Sequence, residues 1–159
     1  MKSKKLSVYD LCMIGVFTAI IAVMAQIIIP MPYLVPMTLQ TLGILLAGVI
    51  LGPKKGMIAT VIYILIGATG APVFAGFTGG LGTIFGPTGG FILSFPVIAL
   101  AAGTGAEKSN KLFLWSGLAA GVIINYTCGV IYYSIRTSSD LITSFIACVL
   151  FFIPADIMK

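Results

Sequence analysis

The chain has 159 residues, of which 59% are hydrophobic and only 8% charged, with nine lysines and arginines against four acidic residues and no histidine. A soluble domain carries roughly 25% charged residues because its surface faces water. This composition therefore excludes a soluble enzyme, a nucleic-acid-binding domain and a disordered chain, and it fits a lipid bilayer as solvent. Without histidine the commonest general base, proton shuttle and metal ligand is missing. Cys12, Cys128 and Cys148 lie far apart within apolar runs. None of them has the spacing of a metal-ligand pair, and small hydrophobic packing is their simplest role.

A membrane-spanning helix needs about 20 largely apolar residues to cross about 30 Å of hydrocarbon. Leu11–Ile29 meets this requirement without a charge and ends at Pro30-Met31-Pro32. The preceding residues are basic, but no small-residue cleavage site follows the apolar run, so an uncleaved span is expected rather than a signal peptide. Leu34–Leu51 is a second span, closed by Gly52-Pro53-Lys54-Lys55-Gly56. Met57–Ala71 is a shorter third, closed by Pro72. Gly90–Ala106 is a fourth, interrupted by Pro96, which neighbouring helices can accommodate in a bundle. Leu112–Ser134 is a fifth. Leu141–Ile153 holds only 13 residues before Pro154, too few for an ordinary span, and reads as a re-entrant or interfacial segment on the outer side. Pro154 suits the first turn of a new helix. A sixth span is expected to begin there, with most of it lying beyond Lys159.

Basic residues orient this bundle. Lys2, Lys4, Lys5, Lys54, Lys55, Lys108 and Lys111 fall in three polar clusters that share one side if the N-terminus is cytoplasmic, leaving Arg136 and Lys159 elsewhere. Positive charge collects on the cytoplasmic side of membrane proteins. The expectation is an all-α membrane protein with its N-terminus cytoplasmic, five complete spans and a sixth starting near Pro154. Residues 1–159 would form a single integral-membrane domain.

Several residues stand out against this background. Val73–Gly90 holds seven glycines in 18 residues. It is either a flexible turn or a backbone that lines a ligand cavity. Gly-Lys-Ser/Thr does not close it, so it is no phosphate cradle. Asp156 and Lys159, at i and i+3, share a helical face. They are either an interfacial ion pair or part of a site, and ionisable groups within a membrane protein default to function. Asn125 and Tyr126 lie mid-span, as does Gln40, and a helix–helix hydrogen bond is the competing role for each. Gly15, Ala19 and Ala22 form a small-residue stripe along the first span, while Gly117 and Gly121 form a GxxxG best explained by internal packing.

Three ordered motifs resemble the BioY family. These are Ile29-Pro30-Met31-Pro32 with Pro36-Met37-Thr38-Leu39-Gln40-Thr41-Leu42-Gly43, the loop ending Phe85-Gly86-Pro87-Thr88-Gly89-Gly90-Phe91, and Phe152-Ile153-Pro154-Ala155-Asp156-Ile157-Met158-Lys159. In the last motif Ala155 replaces the glycine common in that family. The resemblance covers the whole chain and implies six helices and the role of a biotin-binding S component of an energy-coupling-factor (ECF) transporter. The chain carries no Walker motif with which to bind ATP, and the resemblance implies a membrane T component and two cytoplasmic ATPase subunits as partners. Biotin would be the transported ligand; no cofactor, metal or nucleic acid is expected, and no enzymatic activity.

Biotin's ureido ring has two N–H donors and one carbonyl, its thioether ring is apolar, and its side chain ends in a carboxylate. Under the resemblance Asp156 would meet the ureido donors, and Lys159 the ureido carbonyl or the carboxylate. Thr78, Thr88 and the backbone at Gly79, Gly80, Gly82 and Gly89 would supply further donors, with Phe77 covering the apolar ring and Asn125 completing the set. The Gly15/Ala19/Ala22 stripe resembles the face by which S components dock on the T component. The competing class is a small channel or a structural membrane subunit that binds no biotin.

Overall fold

A computed structural model describes residues 6–29, 35–108, 110–150, 152–153 and 156. Helix α1 (Val8–Ala25) opens with a capping box in which Ser7 Oγ accepts from the Asp10 amide and Asp10 Oδ2 accepts from the Ser7 amide, both at 3.1 Å. This pairing satisfies amide groups that a helix start leaves without partners. Two short strands follow, β1 (Ile28–Ile29) and β2 (Met37–Thr38), paired antiparallel. They delay the second helix: α2 runs only over Gln40–Leu51, because residues 37–39 pair back on 27–29 and the Leu39 amide bonds the Ile27 carbonyl at 3.2 Å.

Gly52 alone, at φ +82°, separates α2 from α3 (Pro53–Ala68). Helix α3 starts four residues ahead of the expected third span, since Pro53 is preorganised for a first turn. The glycine-rich segment forms a 3₁₀ turn at Ala75–Phe77 and a single-turn helix α4 (Leu81–Ile84). Helix α5 (Gly89–Ala106) then runs unbroken through Pro96. Helix α6 (Lys111–Thr137) has 27 residues, about 40 Å at 1.5 Å per residue. The last segment is α7 (Leu141–Phe145), continued by a π-helical turn at Ile146–Leu150. Ala147, Cys148 and Val149 of that turn are buried. The segment thus turns one face into the protein. Pro154 and Lys159, where a sixth helix was expected, lie outside the described residues.

By length and composition, three of these helices (α1, α5 and α6) can cross a membrane, whereas Gln40–Leu51 and Leu141–Leu150 are apolar but shorter. Helix α5 is the central element, packed against α2, α3 and α6. Small residues permit the close approach. A Cβ on Gly48 would overlap the Ala99 carbonyl oxygen of α5, and one on Gly56 would fall 2.7 Å from Gly48 Cα. Gly117 faces Gly105 and the Ala101 carbonyl, and Gly121 faces Ile98, so the GxxxG of α6 packs inside the bundle, on α5. Gly48→Val is accordingly expected to destabilise the protein by about 1–3 kcal/mol or more, the usual range for overpacking. Thermal melting in detergent measures this. An unchanged midpoint would mean that α2 and α5 are not in backbone contact.

The two ends of the bundle differ. At one end Lys55 Nζ pairs with Asp10 Oδ1, linking the starts of α3 and α1. Gly103 of α5 abuts Pro53 there, Glu107 approaches Gly52, and Lys108 sits 4.1 Å over the Phe113 ring. The opposite end carries the β-ribbon, the glycine-rich segment and a cavity.

Candidate functional site

The cavity has a volume of about 430 Å³, within the range of about 300–1,000 Å³ usual for small-molecule sites. Residues 35–41 form one wall and the glycine-rich segment another. Phe91, Ile92 and Phe95 of α5, Asn125 and Tyr126 of α6, and Phe152 and Asp156 complete it. Most of this lining is apolar, and several of its polar groups are held in place by neighbours.

Each wall has an anchor. Gln40 is buried, and its Nε2 donates to Tyr63 Oη at 2.8 Å; the Tyr63 hydroxyl donates in turn to the Val73 carbonyl at 2.9 Å. Tyr63 meets the Phe74 ring edge to face, with centroids 5.5 Å apart. Gln26, just beyond α1, clamps the glycine-rich segment. Its Nε2 donates toward the carbonyls of Val73 (3.2 Å) and Phe74 (3.1 Å), and its Oε1 accepts from the Phe77 amide at 2.8 Å. That clamp holds a turn in which Gly76 (φ +70°) and Phe77 (φ +56°) both take left-handed backbone, a conformation costly for a phenylalanine and maintained only where surroundings impose it. Opposite, the Tyr126 hydroxyl donates to Asp156 Oδ2. Ser94 Oγ bonds Asn125 Oδ1 at 2.8 Å.

Thr78, Gly82, Thr88, Asn125 and Asp156, singled out from the sequence, all border this cavity. Phe77, Gly79, Gly80 and Gly89 do not. Phe77 is 72% exposed. Gly79 is packed on the Ala71 carbonyl, the Gly80 amide bonds the Gly67 carbonyl at 2.7 Å, and Gly89 is pressed against the Ile84 carbonyl. These three glycines shape the wall from behind it. Lys159 lies outside the described residues. Sequence reasoning passed over Gln26, Ser94 and the rings of Phe91, Phe95 and Phe152. A polar residue at the end of a span or within it was the available signal for Gln26 and Ser94, and i, i+4 spacing for Phe91 and Phe95. Tyr126 and Gln40 were noticed, but their partners were not.

A second, open groove of about 720 Å³ runs between α2 and α6, lined largely by leucines, valines and isoleucines together with Trp115. Tyr126 and Asp156 border both spaces. The stripe on α1 is elsewhere. Gly15 and Ala19 are exposed, Ala22 is half-buried, and among the described residues outside its own turn of helix nothing lies within 4 Å of a Cβ built on Gly15.

Fold and cavity together define a bundle of membrane-compatible helices that encloses a small-molecule site at one end. The BioY family model matches residues 1–159, and the chain belongs to this family. It is 40% identical over 159 residues to a protein of Pyrococcus horikoshii named "Probable biotin transporter BioY", covering all of this chain and 91% of that one. It is 45% identical over 118 residues to the biotin transporter BioY of Thermotoga maritima, covering 73% and 69% of the two chains. The crystal structure of the S-component for biotin from an ECF-type ABC transporter superposes with a TM-score of 0.86 at 30% identity, over 98% of this chain and 87% of that one.

Proposed function

We propose that the chain is the biotin-binding S component of an ECF-type vitamin uptake transporter and that the cavity at the ribbon end holds biotin. One observation carries the reading: a carboxylate held by a tyrosine, a buried asparagine and several threonines converge on a space otherwise lined mostly by apolar residues, four phenylalanines among them. That is an apolar site with few placed polar groups, and it matches a ligand with a polar ureido edge on an apolar ring system. The names of the relatives and of the matching structure support the same ligand. Asp156 accepts from the ureido N–H groups, Thr78 and Thr88 add polar contacts with Gly82 beside them, and Lys159 meets an acceptor on the ligand. Gly79, Gly80 and Gly89 contribute as the support of that wall, and Phe77, exposed on the loop, contributes its backbone amide to the Gln26 clamp.

The bundle lies in the cell membrane as a multi-pass protein forming one domain, with its N-terminus cytoplasmic, five spans and a sixth beginning near Pro154. Asp10, Lys55 and Lys108 gather at the end opposite the cavity, which supports an outward-facing site under the positive-inside rule. Energy comes from a T component and two cytoplasmic ATPases, the T component docking on the Gly15/Ala19/Ala22 face.

Purified protein titrated with biotin is expected to show saturable binding without turnover, which a channel or a structural subunit would not. In intact cells a cysteine placed at Thr78 is expected to react with an impermeant thiol reagent and one at Lys55 is not. Labelling in the reverse pattern would overturn the orientation.

A further inference from the structure

Ser94 and Asn125 face each other across the α5–α6 interface, at 4% and 3% exposure. Ser94 Oγ lies 2.8 Å from Asn125 Oδ1 and also 2.8 Å from the Phe91 carbonyl of its own helix. A serine hydroxyl has one proton to donate. The Phe91 carbonyl sits inside α5, where the helical ladder brings it the N–H of Phe95; Pro96 withholds an N–H from Ile92 instead. The buried Asn125 oxygen has the greater need of that proton, since an unsatisfied buried acceptor is expensive.

The amide is thereby fixed with its oxygen toward Ser94 and its NH₂ end turned the other way. Among the described residues, the side-chain polar atom that is sealed from solvent without a partner is Ser144 Oγ. No hydrogen bond from the Asn125 nitrogen is formed among the described residues, so that nitrogen is not sealed, and the open space that Asn125 borders is the cavity. The next residue on α6, Tyr126, holds Asp156 on the same cavity. The site thus offers a hydrogen-bond donor and a carboxylate acceptor together.

We propose that Ser94 is a positioning residue: it locks the Asn125 amide as a donor into the cavity, and this donor selects a ligand with a neutral carbonyl acceptor, the ureido C=O of biotin. The inference rests on the biotin reading above. A site built to bond one polar group discriminates strongly against an analogue lacking it.

The probes are biotin and 2-iminobiotin, in which C=NH replaces the ureido C=O and is protonated at neutral pH, so that the acceptor is lost. Wild-type protein should prefer biotin. In Ser94→Ala the amide is released, and biotin binding should weaken by about 10-fold, with 2-iminobiotin affected far less, so the preference narrows. Ser94→Thr keeps the hydroxyl and should retain the wild-type preference, whereas its near-isostere Ser94→Val should lose it; this pair decides the matter if the alanine variant folds poorly. Asn125→Asp exchanges the donor for an acceptor and should reverse the preference toward 2-iminobiotin. Equal losses for both ligands in Ser94→Ala would reveal a packing role alone and overturn the proposal. An unchanged or widened preference would overturn it too. Wild-type protein that binds neither ligand would overturn the biotin reading itself, and this inference with it.

Discussion

Asp156→Asn is expected to weaken biotin binding by roughly 10- to 150-fold, equivalent to about 1.5–3 kcal/mol for hydrogen bonds involving a charged group. The substitution keeps the size and one acceptor but removes the charge, and charge-assisted bonds are about twice as strong as neutral ones. Tyr126 donates to Asp156 Oδ2, so Tyr126→Phe should also weaken binding by leaving that oxygen poorly oriented. If the tyrosine acts through the carboxylate, the two losses are not independent. Asp156→Asn combined with Tyr126→Phe should then bind about as poorly as Asp156→Asn alone, because groups in one network are coupled. Losses that multiply fully would separate Tyr126 from Asp156.

Lys159 enters the same experiment. As an ion pair that serves only the helix, Asp156→Asn with Lys159→Met should recover most of the affinity, since neither charge is left alone. With both groups on the ligand, the double variant should bind no better than the worse single one. Titration of all these proteins, with folding checked by melting, decides between the two, and near-wild-type binding by the double variant would refute Asp156 as a ligand contact.

Gly15→Leu or Ala19→Leu should abolish biotin uptake by cells while leaving biotin binding to the purified subunit intact. Both residues are exposed on α1, and a Cβ at Gly15 meets nothing within 4 Å among the described residues outside its own turn of helix. A leucine there leaves the cavity untouched but holds a partner helix away, since close approach in lipid depends on small residues. Uptake of labelled biotin, parallel titration and a pull-down with the T component are the measurements. Normal uptake with normal assembly would show that this face docks nothing.

Most of the helices were legible in the sequence because the bilayer imposes a simple rule: a long apolar run, punctuated by lysine, glycine or proline, is a helix. That rule found α1, α5 and α6 to within a few residues. It missed the start of α2, where apolar residues up to Leu39 are drawn into β2 and the turn after it by pairing with β1. Hydrophobicity does not distinguish a ribbon from the first turns of a helix when both are apolar. It also left the terminal apolar run without a conformation, and the fold supplied α7 and a π-helical turn.

By itself, the sequence determined how apolar this protein is, where its positive charge clusters along the chain and which residue types stand apart as able to recognise a ligand, because these follow from composition and from charge along the chain. Asp156, Asn125 and the glycine-rich segment were visible as exceptions in an apolar background. Only the tertiary structure decided which of them share a cavity. It set Gly79, Gly80 and Gly89 behind the wall and Phe77 on the surface, and it paired Tyr126 with Asp156 across 30 residues and Ser94 with Asn125 across 31. Such pairs depend on how α5 and α6 are rotated about their axes. That rotation is set by glycine contacts such as Gly105 on Gly117; the GxxxG marks Gly117 in the sequence, but nothing there names the helix or the residue it meets.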